Sequence, residues 1–203
     1  VEFMAAVMSA QSGDTEKIAE AIEECKRLGI VVMPPDVNKS DIGFSIEDLT
    51  KLSYEELKRS IGGKASKEIL QGIRFGLSAI KNVGHTAIES IIENRKSGGV
   101  YKSLADVCAR TDSRVVNKKA LESLIKAGAL DLLGSRAAQL AILETCLEES
   151  HRNAKLKNSN QVSMFGEEDE SMSQLINVRL PDIEEMPLTE ILQFEKDLLG
   201  FYI

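Results

Sequence analysis

The chain has 203 residues and a formal net charge of −7, from 32 Asp and Glu against 25 Lys and Arg, with no Trp, three Tyr and six Phe. That length suffices for one large domain or two small ones with a real core, and the prevalence of Ala, Leu, Ile, Glu and Lys favours helices over strands. Cys25, Cys108 and Cys146 are far apart and form no C-x-x-C pair, and the apolar runs are short, which excludes a disulfide framework, a zinc site and a membrane span as expectations.

In chain order, residues 2–10 read as the end of a helix and Gln11-Ser12-Gly13-Asp14 as a loop whose Asp14 caps the next one. Ile18, Ala19, Ile22, Cys25 and Leu28 recur at helical spacing until Gly29, where a left-handed residue usually closes a helix. Residues 30–33 predict a short strand, Pro34-Pro35-Asp36 an extended turn, and residues 41–46 and 73–77 two further extended pieces. The polar stretch 47–68 predicts a helix with a break at Gly62-Gly63. A small mixed α/β subdomain over residues 1–76 follows, then a helical region over 77–152. Residues 153–187 read as a flexible linker with the acidic run Glu167-Glu168-Asp169-Glu170, and residues 188–203 as a final helix ended by Gly200. The expected fold class is therefore mainly α. Val1 in place of Met suggests an excised or processed fragment, residues 1–10 lack a basic leader, and buried thiols fit a reducing, cytoplasmic setting.

Charge is unevenly distributed. Residues 74–136 hold eleven Lys and Arg against six Asp and Glu, a net +5 that leaves −12 for the flanks. Inside this basic module, Leu77, Ile80, Val83, Ala87, Ile88 and Ile91 fit two short helices packed through a tight turn, Asn82-Val83-Gly84. The pattern resembles the helix-hairpin-helix family, whose turn usually reads Gly-apolar-Gly. Asn82 stands at the first Gly and is among the few residues that tolerate left-handed backbone angles. With no Cβ at Gly84 a phosphate can approach the backbone, and the N–H groups of Gly84, His85 and Thr86 open a helix whose dipole favours an anion. Lys81, Lys96 and Thr86 would add side-chain contacts. Such a site reads the DNA backbone and not base sequence. A second, weaker copy is expected over residues 118–143: Lys118 and Lys119 begin a helix, Lys126-Ala127-Gly128-Ala129 forms a Gly turn, and Arg136 begins the next helix after Gly134-Ser135. Two such hairpins would place two phosphate-binding turns on one surface.

Several strings together are more specific than either hairpin. Glu2-Phe3-Met4-Ala5-Ala6, the run from Gly29 through Met33-Pro34-Pro35-Asp36 to Ser40, Ile73-Arg74-Phe75-Gly76-Leu77, the run from Asn117 to Ala129, and Gly200-Phe201-Tyr202 resemble, in this order, the alpha subunit of bacterial DNA polymerase III. The resemblance spans nearly the whole chain. It implies the distal fingers over 1–76, a tandem helix-hairpin-helix DNA-binding domain over 77–152, and an approach to an OB-fold that is missing here. That family's chemistry belongs to palm aspartates holding two metal ions. No segment here resembles the palm, so the fragment is expected to be inactive and without cofactor, with Mg2+ at the palm of the full polymerase.

The linker string Gln161-Val162-Ser163-Met164-Phe165-Gly166 resembles the peptide by which bacterial polymerases bind the sliding clamp, with Gln161, Met164 and Phe165 as the contacts. An apolar pair in a polar stretch has no local core, whereas a partner's pocket could bury it. Other subunits of the replicative holoenzyme are the remaining expected partners. His85 and His151 lack any catalytic constellation. Arg74 and Lys39 are candidates for template or nucleotide contact, with a structural role as the alternative. A repair glycosylase or nuclease would need a catalytic Asp or Lys beyond the hairpin, where only Glu89 and Glu93 stand. The remaining alternative is a structural module whose hairpins only pack between polymerase domains.

Overall fold

The computed structural model describes residues 1–51, 71–158 and 178–202. Helix α1 spans Glu2–Ala10 and α2 spans Thr15–Arg27. They are joined by a polar turn in which the Asp14 carboxylate accepts from the N–H groups of Glu16 and Lys17, both at 3.2 Å. This capping satisfies donors that the first helical turn leaves without partners. α2 buries Ile18, Ala21, Ile22 and Cys25. Gly29, at φ 71°, then closes it, with the Ile30 N–H returning to the Cys25 carbonyl at 2.8 Å.

Three short strands follow, β1 (Val31–Met33), β2 (Ser45–Asp48) and β3 (Gln71–Arg74), in the spatial order β1-β3-β2. The central β3 runs parallel to β1, with Ile73 opposite Val32, and antiparallel to β2, with Ile73 opposite Ile46. The two extended pieces expected at 41–46 and 73–77 are thus shifted by a few residues. Beside these strands the chain crosses itself closely: a Cβ on Gly76 would overlap the backbone of Gly43. The helix expected within 47–68 lies outside the described residues, apart from a 3-10 turn at Leu49–Lys51.

The rest is helical: α3 (His85–Gly98), α4 (Leu104–Arg110), α5 (Lys118–Lys126), α6 (Arg136–Asn158) and α7 (Leu188–Leu199), with single 3-10 turns at Leu77–Ala79 and Asp131–Leu133. The fold is mainly α with one small mixed sheet. α6 continues to Asn158, past residue 152 where the helical region was expected to end, and residues 178–187 lead into α7 without regular secondary structure.

One apolar core passes from Met8 and Phe75 through Ile88 and Leu121 to Leu199, so residues 1–76 and 77–152 share an interior. Arg110 fastens α4 to the end of α3, donating to the carbonyls of Asn94 and Gly99, while its guanidinium lies 4.3 Å from the Tyr101 ring centroid. The Tyr101 hydroxyl donates to Ile91 O at 2.8 Å, and burial pushes its pKa up to about 12. Cys25, Cys108 and Cys146 are buried free thiols. Among the described residues no helix is long and apolar enough to cross a membrane, and no three His, Cys, Asp or Glu side chains stand together as metal ligands would.

Candidate nucleic-acid interface

The first hairpin is built asymmetrically. Its first arm, expected as a short helix, is only the 3-10 turn Leu77–Ala79. The N–H groups of Leu77 and Ser78 donate to the carbonyls of Asp41 and Ile42, at 3.0 and 2.9 Å, which anchors the start of this turn on the neighbouring loop, and the turn stops at Ile80, whose backbone is extended at φ −83° and ψ 121°. The turn then follows expectation. Asn82 has φ 66°, and among the described residues it is the one non-glycine with positive φ. Val83 is buried in the core, whereas Lys81, Asn82, Gly84, His85 and Thr86 are exposed.

Gly84 caps α3 from an extended conformation, φ −72°, and its carbonyl accepts from Ala87 and Ile88. A Cβ built on it meets nothing within 4 Å, so no packing inside the chain requires glycine there. No side chain caps this end, and the N–H groups of Gly84, His85 and Thr86 donate to no acceptor among the described residues. Three outward donors at the positive end of a 14-residue helix constitute an anion-binding geometry. His85 lies 3.3 Å from Glu89, one turn along the helix. The turn itself is held from outside the hairpin, by the Lys81 N–H donating to Leu198 O of α7 at 3.1 Å.

The second hairpin is closed. The turn at Lys126–Ala129 is expected from sequence to offer its backbone to phosphate, but its donors are used within the chain. Ala127 N–H donates to Ser123 O, Gly128 N–H to Ile125 O and Ala129 N–H to Leu124 O, at 2.9 to 3.0 Å. With Gly128 at φ 81°, this is the six-residue closure that ends α5. Ala127 and Ala129 are buried, and a Cβ at Gly128 would collide with the Arg136 guanidinium. Arg136 is correspondingly no surface cation: it is 7% exposed and bonds Asp131 at 2.8 and 2.9 Å, Lys126 O at 2.9 Å and Glu195 at 3.0 Å. Lys126 is half-buried, its ammonium 5.0 Å from the Phe194 ring centroid.

The start of α6 is filled as well. Arg136 and Ala137 donate their N–H groups to the Glu185 carboxylate at 2.8 and 2.9 Å, and Ala138 donates to Ser135 Oγ at 3.3 Å. Partial burial pushes the Glu185 carboxyl up, but the backbone N–H groups of Met186, Ala137 and Arg136 outweigh it and hold it below the usual carboxylate range.

The other candidates are dispersed. Lys96 sits in the last turn of α3, eleven residues from His85 and so about 16 Å along the axis at 1.5 Å per residue. Lys118 and Lys119 are exposed at the start of α5, with Lys118 paired to Glu144 of α6. Arg74 is 4% exposed and bonds Glu47 and Pro34 O, which gives it a structural role as a strut of the sheet. Lys39 pairs with the same Glu47, at 3.9 Å. Gln161, Met164 and Phe165 lie outside the described residues. Part of the +5 excess is therefore structural, since Arg74, Arg95, Arg110 and Arg136 are all engaged internally.

Sequence reasoning missed three participants. Arg95 reaches from α3 to Val37 O and Ser40 O, at 3.0 and 2.8 Å, tying the hairpin helix to the loop after β1. Glu185 and Glu195 reach the second hairpin from 49 and 59 residues away. No local pattern marks any of the three, because their partners are distant in sequence.

Residues 29–140 match the family model described as the helix-hairpin-helix motif. The chain is 42% identical over 205 residues to the DNA polymerase III subunit alpha of Thermus aquaticus, an alignment covering all of this chain and 14% of that relative. To the DNA polymerase III subunit alpha of Escherichia coli strain K12 it is 36% identical over 206 residues, and to that of Vibrio cholerae 35% over 203, in both cases covering the whole chain and 16% of the relative. The chain thus spans about 15% of the length of these relatives. Homologous over its whole length to a stretch of the DNA polymerase III alpha subunit, it belongs to the helix-hairpin-helix family.

Proposed function

We propose that the chain is a non-catalytic, DNA-holding part of a bacterial replicative polymerase alpha subunit, gripping the backbone of double-stranded DNA without reading its sequence. The observation that carries this reading is the open start of α3, where the exposed N–H groups of Gly84, His85 and Thr86 have no acceptor among the described residues and Gly84 leaves the approach unobstructed. Lys81 stands beside them. Nucleotidyl transfer, with Mg2+ held by carboxylates, belongs in this reading to a palm elsewhere in the longer protein, and the setting is the cytoplasm of the replicating cell. Other holoenzyme subunits are the remaining partners.

The test separates binding from folding. Gly84→Val puts its Cβ into open space at a helix start that prefers Gly to Val, so the fold is kept with a small fall in melting temperature while duplex affinity falls far more. Lys81→Glu lowers both the affinity and the slope of its salt dependence, by about one unit of log K per log salt for each phosphate that is no longer neutralised. Unchanged binding by Gly84→Val would remove the turn from the interface.

The same reading assigns Gln161, Met164 and Phe165 to the sliding clamp, the beta subunit, supported by the apolar pair Met164-Phe165 standing in an otherwise polar sequence. Phe165→Ala abolishes capture by purified clamp and leaves DNA affinity intact; equal capture of both proteins refutes the assignment. A packing role is favoured for one half of the region only, the second hairpin, by the inward position of Arg136.

A further inference from the structure

The C-terminal segment is fastened to the second hairpin at three successive points. Leu180 lies against Gly134, where a Cβ would overlap its side chain. Glu185 takes the N–H groups of Arg136 and Ala137. In α7, Glu195 takes the Arg136 guanidinium and Phe194 lies beneath Lys126. The central point has a particular chemistry. A carboxylate that receives two backbone donors at the start of a 23-residue helix occupies the position, and supplies the charge, that a phosphate would.

We propose that residues 178–187 act as a self-inhibitory strap: Glu185 holds the start of α6 closed, and the second hairpin takes up an external phosphate only when this strap lifts. The proposal rests on the reading of the chain as a DNA-backbone binder. Two further observations support a two-state strap. Val178 packs against the core and Leu180 against Gly134, but Ile183 and Glu185 remain exposed, and the contact over the start of α6 is a polar one that an external anion can replace. Beneath the turn, fully buried Gln139 donates from Nε2 to Leu130 O at 2.9 Å and to Gly134 O at 2.7 Å, while its Oε1 has no partner among the described residues. The closed turn therefore carries an unsatisfied acceptor, a cost that a rearranged turn can relieve.

The experiment follows the backbone amide resonances of Arg136 and Ala137 in the full chain during titration with inorganic phosphate, comparing the unaltered protein with Glu185→Ala. In the variant both amides shift saturably; in the unaltered chain they do not. Duplex binding by the variant is several-fold tighter, with a salt slope steeper by about one unit. Glu185→Gln, which keeps the size and drops the charge, supplies the same comparison if the alanine variant loosens the start of α6. Amides that stay still in both variants, that respond equally in the unaltered chain, or a variant that binds duplex more weakly would each overturn the proposal. The phosphate arm needs no DNA. Failure of the unaltered chain to bind duplex would thus count against the proposed function and leave the strap to be judged by the amides.

Discussion

The starts of α3 and α6 are made from similar materials and differ in what covers them. Each helix follows a glycine-containing turn and presents N–H groups at its positive end. At α3 those donors face solvent, because the chain offers no side-chain cap and Gly84 has empty space around it. At α6 the donors meet Ser135 and Glu185, and Arg136 beside them is drawn inward by Asp131 and Glu195. A hairpin motif therefore specifies a backbone path, whereas its availability to a ligand depends on whichever distant segment is packed over it.

The largest expected effect comes from breaking the closed side. Arg136→Ala removes the guanidinium that Asp131 and Glu195 both bond and opens space beside Gly128, and loss of one partner from a buried pair costs roughly 3–5 kcal/mol. Chemical denaturation reads this directly, and a loss below about 1 kcal/mol would mean that the pair does not hold the second hairpin shut. A smaller effect sharpens the open side. Asn82→Val forces a β-branched residue to φ 66° and destabilises by about 1–2 kcal/mol, whereas Asn82→Gly is close to neutral. Equal melting temperatures for the two variants would show that the turn can relax and that its left-handed geometry is dispensable.

Much of the local structure is legible in the sequence. The Asp14 cap, the left-handed closures at Gly29 and Gly200 and the positive φ of Asn82 are all present. Each depends on a residue's own conformational energy or on partners within a few positions. Legibility falls where donors are shared between distant segments. The turn at Leu77 starts on the carbonyls of Asp41 and Ile42 and the Lys81 N–H beyond it goes to Leu198 of α7, and Arg74 is a strut because Glu47 and Pro34 lie beside it across the sheet.

The exposed turn at Gly84 is half readable: Asn82 and Gly84 dictate its shape, but not that its donors stay free. By itself the sequence determined the helical class, the caps and left-handed turns, and the family. The tertiary structure decided that the first turn is open and the second shut, because residues 178–187 and α7 return over α6 from about fifty residues away and bring a carboxylate to one helix start while leaving the other bare.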